Sequence, residues 1–254
     1  MTAPKPSTKI ARSDATDVYI RGRSLCADII GKMTFTELTY LQLTGRAPTA
    51  GQTRVLDACL VTLMEHGLTP SAISARLLYG SAPEALQAAV AGGLLGVGSV
   101  FVGTVEGCAT LLAQIVAAPD AAAAATAIAQ DHRDRKARVA GFGHPIHKPD
   151  DPRTPALLAV AAQVGLEGTH CRALGELSRA VDAASGRHIT VNATGAVAAV
   201  LADAGIPIAI MRGISVLARA AGLVGHVHEE QQSPTMVAMW HAAEAAVPYD
   251  DQSD

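Results

Sequence analysis

The sequence predicts an all-α fold, on three observations. Strict alternation of apolar and polar residues, the mark of a half-buried strand, is nearly absent. Segments rich in Ala and Leu recur between polar punctuation throughout the chain. Aromatic residues make up only 3% of the sequence, so its helices must approach closely on small side chains.

Taken in order, the N-terminal "MTAPKPSTKIARSDA" has no apolar core of a secretory signal and reads as a frayed tail. "TFTELTYLQLTGRAP" starts a helix at Thr34, with Glu37 as capping-box partner, and stops it at Gly45 ahead of Pro48. "AGQTRVLDACLVTLMEHG" gives a second helix ending on His66 and Gly67. "TPSAISARLLYG" gives a third, with Pro70 in its first turn and Gly80 at its end. The run from Ala85 to Val105 is uncharged over 21 residues and has the length of a membrane span. Its five glycines dilute its hydropathy, it has no aromatic or cationic belt, and Glu84 and Glu106 close it, so it reads as a helix buried on all sides. "DAAAAATAIAQDHRDRKARV" starts on Asp120 and runs into a charged, solvated face. After "AGFGHPIHKPDDPR", four more helices follow in "RTPALLAVAAQVG", "HCRALGELSRAVDAASG", "NATGAVAAVLADAGIP" and "MRGISVLARAAGLVGHVHEEQQ".

Composition narrows the function. A chain of 254 residues can bury a sizeable core in one large domain, or in a large and a small one. Twenty basic residues against 23 acidic ones, with no Lys/Arg-rich tract, argue against a nucleic-acid or membrane partner and leave small or acyl substrates. Cys26, Cys59, Cys108 and Cys171 are widely spaced, without CxxC pairing, and read as reduced core thiols of a cytoplasmic protein, with neither disulfide nor zinc. No HExxH, Walker, GxGxxG or GxSxG pattern occurs.

Three places could carry chemistry. His144 lies in a loop opened by Gly141 and Gly143, which can bring main-chain N–H groups and an imidazole to a ligand. Lys148 is placed there for a phosphate and Arg153 for a carboxylate; a plain helix-connecting turn with exposed charges is the competing reading. His66 closes its helix, either as a site residue or as a simple cap. Arg219 stands amid Leu, Ala and Gly, seven residues after Arg212 and on the same face, and needs an anionic partner, a ligand or a structural acid. His226 and His228 cannot share a helical face, which argues against a metal site, and Glu229 and Glu230 are expected to face water.

Together these segments resemble the citrate synthase superfamily, in particular its lyase branch, citryl-CoA lyase and the C-terminal module of ATP-citrate lyase. "YIRGRSLCADIIGKMTFTELTYLQLTGRAPT" is similar to the family's N-terminal R-G segment, F-E-E helix and G-R-L-P stop. "CLVTLMEHG" resembles the helix bearing a substrate-binding histidine, "GFGHPIHKPDDPR" the G-H loop with its D-P-R, and "LARAAGLVGHVHEE" the S-R-x-x-G-x-x-x-H helix. The resemblance implies a large helical domain (1–103 and 209–254), a small one (104–208) closing over coenzyme A, and a homodimer with the two sites near the subunit contact, where the small residues from Gly92 to Gly103 would permit close helix approach. It implies that Gly141, Phe142, Gly143 and Lys148 hold coenzyme A, that His144 contacts the oxygen on the carbon being made or broken, and that Arg153 and Arg219 hold substrate carboxylates.

Two departures stand out. Phe101 replaces the histidine that bonds the thioester oxygen in citrate synthases, as a phenylalanine does in the lyase branch's R-F-G-G segment. Thr194, in "VNATG", replaces the aspartate of the family's N-V-D turn, and a hydroxyl is no carboxylate base near neutral pH. No Lys follows Lys148 and no Arg follows Arg219, so fewer substrate carboxylates can be matched. The expected activity is cleavage of a 3-hydroxyacyl-CoA, less acidic than citryl-CoA, with His144 and His66 catalytic and Thr194 and Asn192 positioning a proton source, without a metal. The alternative is a non-catalytic CoA-binding or regulatory subunit.

Overall fold

A computed structural model of the chain describes residues 5–100 and 102–250. It is all-α, as predicted, apart from one small three-stranded sheet. The chain divides into two compact units, Met1–Cys59 with Glu106–Met211, and Leu60–Val105 with Arg212–Asp254.

The first unit opens with antiparallel strands β1 (Ala11–Ser13), β2 (Val18–Ile20) and β3 (Arg23–Ser24), in the register Ala11 to Ile20 and Tyr19 to Ser24. Part of the segment expected to be a frayed tail is therefore ordered. Asp14 closes the β1–β2 turn, its Oδ1 accepting the N–H groups of Thr16 (3.0 Å) and Asp17 (3.1 Å). After one π-helical turn at Leu25–Ile29 comes α1 (Phe35–Thr44). Thr34 and Glu37 form the predicted capping box, and Gly45 ends the helix in the left-handed conformation at φ 73°.

α2 (Ala50–Met64) begins in this unit, and α5 (Val105–Ala117), α6 (Ala121–Asp134), α7 (Arg153–Gln163), α8 (Thr169–Ser185) and α9 (Ala193–Asp203) complete it. α9 is the centre of the core: every residue from Gly195 to Leu201 is buried, with α7 and α8 packed on it and α6 packed on α8. A helix of Ala, Val and Gly suits that place, because neighbours can approach from several sides. Tyr40 of α1 reaches this layer and donates to the Ala204 carbonyl at 2.9 Å. Asp203 turns back to the first turn of α8, where its carboxylate accepts the N–H groups of Gly168 (2.9 Å), His170 (3.0 Å) and Cys171 (3.0 Å).

The second unit holds α3 (Pro70–Ser81), α4 (Leu86–Leu95), α10 (Met211–Gln232) and α11 (Met236–Ala246), the last not foreseen from sequence. Pro70 is at the first turn of α3, as expected, but Gly80 lies inside its last turn. Ala72, Ala75, Ala89, Leu223 and Val227 form its core. A Cβ on Gly93 would lie 2.7 Å from Leu223 Cδ1 and 2.7 Å from the Ser71 carbonyl oxygen, so only glycine lets α4 sit this close to α3 and α10.

The uncharged run from Ala85 to Val105 is not one buried helix. α4 stops at Leu95, which is 89% exposed, and Val100 is exposed as well, because Gly96 and Gly98 interrupt the pattern. Ile208–Gln232 is long and apolar enough to cross a bilayer by length and composition, a property that buried core helices share. Of its charged residues, Arg219 and Glu230 are buried against partners in the same unit, and Arg212 and Glu229 are exposed. Cys59, Cys108 and Cys171 are buried thiols as expected, whereas Cys26 is exposed. Burial pushes the Cys108 and Cys171 thiols up to about 12, which makes both unreactive at neutral pH.

Candidate functional site

In the first unit the loop bearing His144 is held against the segment that leads into α9. Gly143 donates its N–H to the Thr190 carbonyl (2.7 Å), Asn192 donates to the Gly141 carbonyl (3.0 Å), and Phe142 bridges Val191 between them. The Asn192 amide donates to the Gly143 carbonyl at 2.8 Å, and the Thr154 hydroxyl donates to the Val191 carbonyl at 2.8 Å. A hydrogen bond from the Thr190 hydroxyl to the Pro149 carbonyl adds a further staple. Gly141 is required by its surroundings: at φ 86°, a Cβ there would lie 2.6 Å from Cys108 Sγ and 2.9 Å from Gly195 Cα.

His144 is fixed by its own loop. Its Nδ1 accepts the main-chain N–H of Ile146 (3.1 Å) and of His147 (2.9 Å), and its ring stacks on His147 with centroids 4.3 Å apart. A neutral imidazole that accepts at Nδ1 carries its proton on Nε2. Arg153 Nη2 lies 3.3 Å from that Nε2.

Arg153 is oriented by Asp151, a residue that "DDPR" does not by itself mark as functional. Asp151 is fully buried and takes a side-on pair from Arg153 Nε (2.9 Å) and Nη2 (2.7 Å). Burial alone would push its carboxyl up, but the hydrogen bonds and charge of Arg153, with the Ala193 N–H, outweigh that and hold it at about 2. Nearby, Asn192 caps α9: its Oδ1 accepts the N–H groups of Thr194 (3.1 Å) and Gly195 (3.3 Å) and the Thr194 hydroxyl (2.6 Å). His144, Arg153, Asn192 and Thr194 are thus brought together. Of the proposed coenzyme-binding positions, Gly143 and Lys148 are exposed, whereas Gly141 and Phe142 are buried in the packing of the loop. Exposed His188, another residue the sequence did not flag, bridges Asp182 (2.7 Å) and Asp150 (3.1 Å), whose hydrogen bonds raise its pKa.

In the second unit, His66 stands two residues beyond the end of α2, not at its last turn. The Glu65 carboxylate explains the early stop, since it accepts the His66 (2.8 Å) and Gly67 (2.7 Å) N–H groups in place of main-chain carbonyls. The same carboxylate is 3.0 Å from His226 Nε2 and 3.9 Å from Arg219 Nη1, so the apolar-embedded arginine, 3% exposed, has a structural acid beside it. Glu230 does not face water as expected. It is buried and paired with buried Arg76 at 3.0 Å, and exposed Glu229 pairs with the same guanidinium. Arg76 also donates from Nε to His226 Nδ1 at 2.9 Å. Neither Glu65 nor Arg76 announces itself in the sequence, because their partners lie far away along the chain. An apolar cleft of about 590 Å³ between α3 and α11, lined by Ile73, Leu77, Met236, Met239 and Trp240 among others, contains none of these residues. Phe101 lies outside the described residues.

An all-α chain whose glycine-flanked histidine loop is stapled to a capped helix start falls into the class of citrate synthase-like folds. The model of the family "Citrate synthase, C-terminal domain" matches residues 16–239, and the chain belongs to the citrate synthase family. Among solved structures it is similar to citryl-CoA lyase from Hydrogenobacter thermophilus, at 28% identity and a TM-score of 0.87, covering 99% of this chain and 96% of that one. ATP citrate lyase of Methanosaeta concilii, in complex with (3S)-citryl-CoA, shares the fold at 16% identity and a TM-score of 0.81, over 100% of this chain and 43% of that one. Citrate synthase of Haloferax volcanii is 28% identical over 203 residues, 77% of this chain and 51% of the relative. "Putative citrate synthase 2" of Mycobacterium tuberculosis (strain H37Rv) is 27% identical over 187 residues, 72% of this chain and 48% of the relative. The chain spans about half the length of the curated relatives it matches.

Proposed function

We propose that the protein is a carbon–carbon lyase that cleaves a 3-hydroxyacyl-CoA, citryl-CoA or a less acidic analogue, to acetyl-CoA and a carbonyl product. The observation that carries this reading is the His144 imidazole, with Nδ1 held by two main-chain N–H groups and Nε2 beside the Arg153 guanidinium. The likeness to citryl-CoA lyase supports it, as does a phenylalanine at position 101, where synthases carry a histidine on the thioester oxygen.

In this reaction the Cα–Cβ bond breaks, its electrons pass into the thioester enolate, the hydroxyl loses its proton to become the carbonyl, and the enolate carbon gains a proton. His144 Nε2 handles the hydroxyl proton. At rest that nitrogen is a donor, so accepting the hydroxyl proton requires the other tautomer, with the Nε2 proton given up to water, a water proton taken at Nδ1, and the Ile146 and His147 N–H groups released. Cleavage is therefore coupled to a small movement of this loop. Arg153 holds a substrate carboxylate with the N–H groups that Asp151 leaves over, and Lys148 takes a coenzyme A phosphate. Water positioned by Thr194 and Asn192 returns the proton to carbon. By family resemblance, His66 stabilises the enolate oxygen, Arg219 holds a further carboxylate, and the working unit is a homodimer.

The test is to incubate the pure protein with citryl-CoA and other 3-hydroxyacyl-CoA esters and follow acetyl-CoA by mass spectrometry. His144→Ala should lower turnover by about 10²- to 10⁴-fold, the usual contribution of a positioned acid or base, with little change in melting temperature. An unchanged rate removes this mechanism. Thr194, at the position of the family's aspartate, favours a second reading, a CoA-binding subunit without turnover. Calorimetric binding of CoA thioesters with no product, even with added partner protein, would select it.

A further inference from the structure

We infer that Asp151 is the positioning residue of the His144 loop, a single buried carboxylate that sets the Arg153 guanidinium beside His144 and fixes the first turn of α9. This deepens the lyase reading and rests on it.

The carboxylate accepts four hydrogen bonds. Oδ1 takes the Arg153 N–H (3.1 Å) and Nε–H (2.9 Å), and Oδ2 takes the Arg153 Nη2–H (2.7 Å) and the Ala193 N–H (3.0 Å). A carboxylate has about four lone-pair sites, so this one is saturated and has none left for a substrate. Its ligands begin two helices. Arg153 is the first residue of α7 and Ala193 the first of α9.

Ala193 lies between Asn192, whose amide holds the Gly143 carbonyl, and Thr194, whose hydroxyl rests on Asn192. The side-on pair leaves the guanidinium no freedom to rotate away, which keeps Nη2 3.3 Å from His144 Nε2. One buried side chain therefore fixes four proposed site residues relative to one another without facing the reacting atoms. Asparagine cannot replace it. One of its two heads would be an NH2 donor, set either against Arg153 or against the Ala193 N–H and Nη2–H.

The experiment compares wild type, Asp151→Asn, Arg153→Met and the double variant in citryl-CoA cleavage, with the Arg153 Nε–H resonance followed by NMR. Displacing a catalytic group by about 1 Å costs on the order of 10²-fold, and Asp151→Asn should lower kcat by that much while KM changes little. The double variant should lose much less than the product of the two single losses, since Asp151 acts in part through Arg153 and in part through the Ala193 N–H. The Nε–H resonance should exchange slowly in wild type and rapidly in Asp151→Asn. Multiplying losses, a wild-type kcat in Asp151→Asn, or an unaltered Arg153 resonance each overturn the assignment. If Asp151→Asn does not fold, Asp151→Glu, which keeps the charge and moves it by one methylene, goes through the same cycle with the same criteria. A wild type that cleaves no thioester refutes the lyase reading instead, and the resonance then decides the role of Asp151 by itself.

Discussion

At the residue scale, Gly141 and Thr194 show how differently two positions of one loop system can be read. The glycine was visible in the sequence as a loop-opening residue, but its tight contact with Cys108 and Gly195 was not, because those neighbours come from α5 and α9. Gly141→Ala combines a positive φ with a Cβ at 2.6 Å from Cys108 Sγ, so it should destabilise the fold by about 1–3 kcal/mol or more, as overpacking does. Urea unfolding checks it, and an unchanged midpoint would show that the loop relaxes at no cost. Thr194 reads from sequence as the loss of a carboxylate. The structure adds that its hydroxyl donates to Asn192 Oδ1 at 2.6 Å. His144 is legible in the sequence as an imidazole in an open loop, but the two main-chain N–H groups that hold its Nδ1 are not.

Capping explains, at the element scale, what sequence reading got right. Thr34, Asp120 and Asn192 start helices where local chemistry predicts, because a cap needs partners only two or three residues away, and Pro70 suits the first turn of α3 because it has no N–H to satisfy there. Glu65 ends α2 early because its side chain competes with the main chain, and Gly96 and Gly98 break the Ala85–Val105 run, whose lack of charge makes it look like one helix. Asp203 caps α8 from 32 to 35 residues away, a distance no local signal reveals. Burial pushes the Asp203 carboxyl up, but the His170 and Cys171 N–H groups and the His170 ring outweigh it and hold it below its usual range; Asp151 is held at about 2. For depressed carboxyls the stabilisation is present in full above the unfolded value, about 3.9 for aspartate, and is lost as pH falls through the folded value. The urea midpoint should therefore fall steadily between about pH 4 and pH 2. The Asp203→Asn variant, if folded, should lose part of that slope, and a midpoint that does not move with acid would show that these caps carry no linkage.

At the scale of the whole molecule, each unit has a charged hub that hydrophobic pattern alone does not disclose: Asp151 in the first and Arg76 in the second. Arg76, 3% exposed, neutralises Glu230, which is buried even more deeply. Arg76→Met leaves that carboxylate uncompensated and should cost about 3–5 kcal/mol, read from denaturant unfolding, whereas a loss below about 1 kcal/mol would mean that Glu230 finds water or another partner. By itself, the sequence determined the fold class, the starts of most helices, the family and the loop around His144, because composition, caps and glycine turns act over a few residues. Only the tertiary structure decided which acids face inward, which arginine each one holds, and which groups hold the His144 ring. Those outcomes depend on groups that meet across the fold, and a buried charge is stable only where such a partner is already in place.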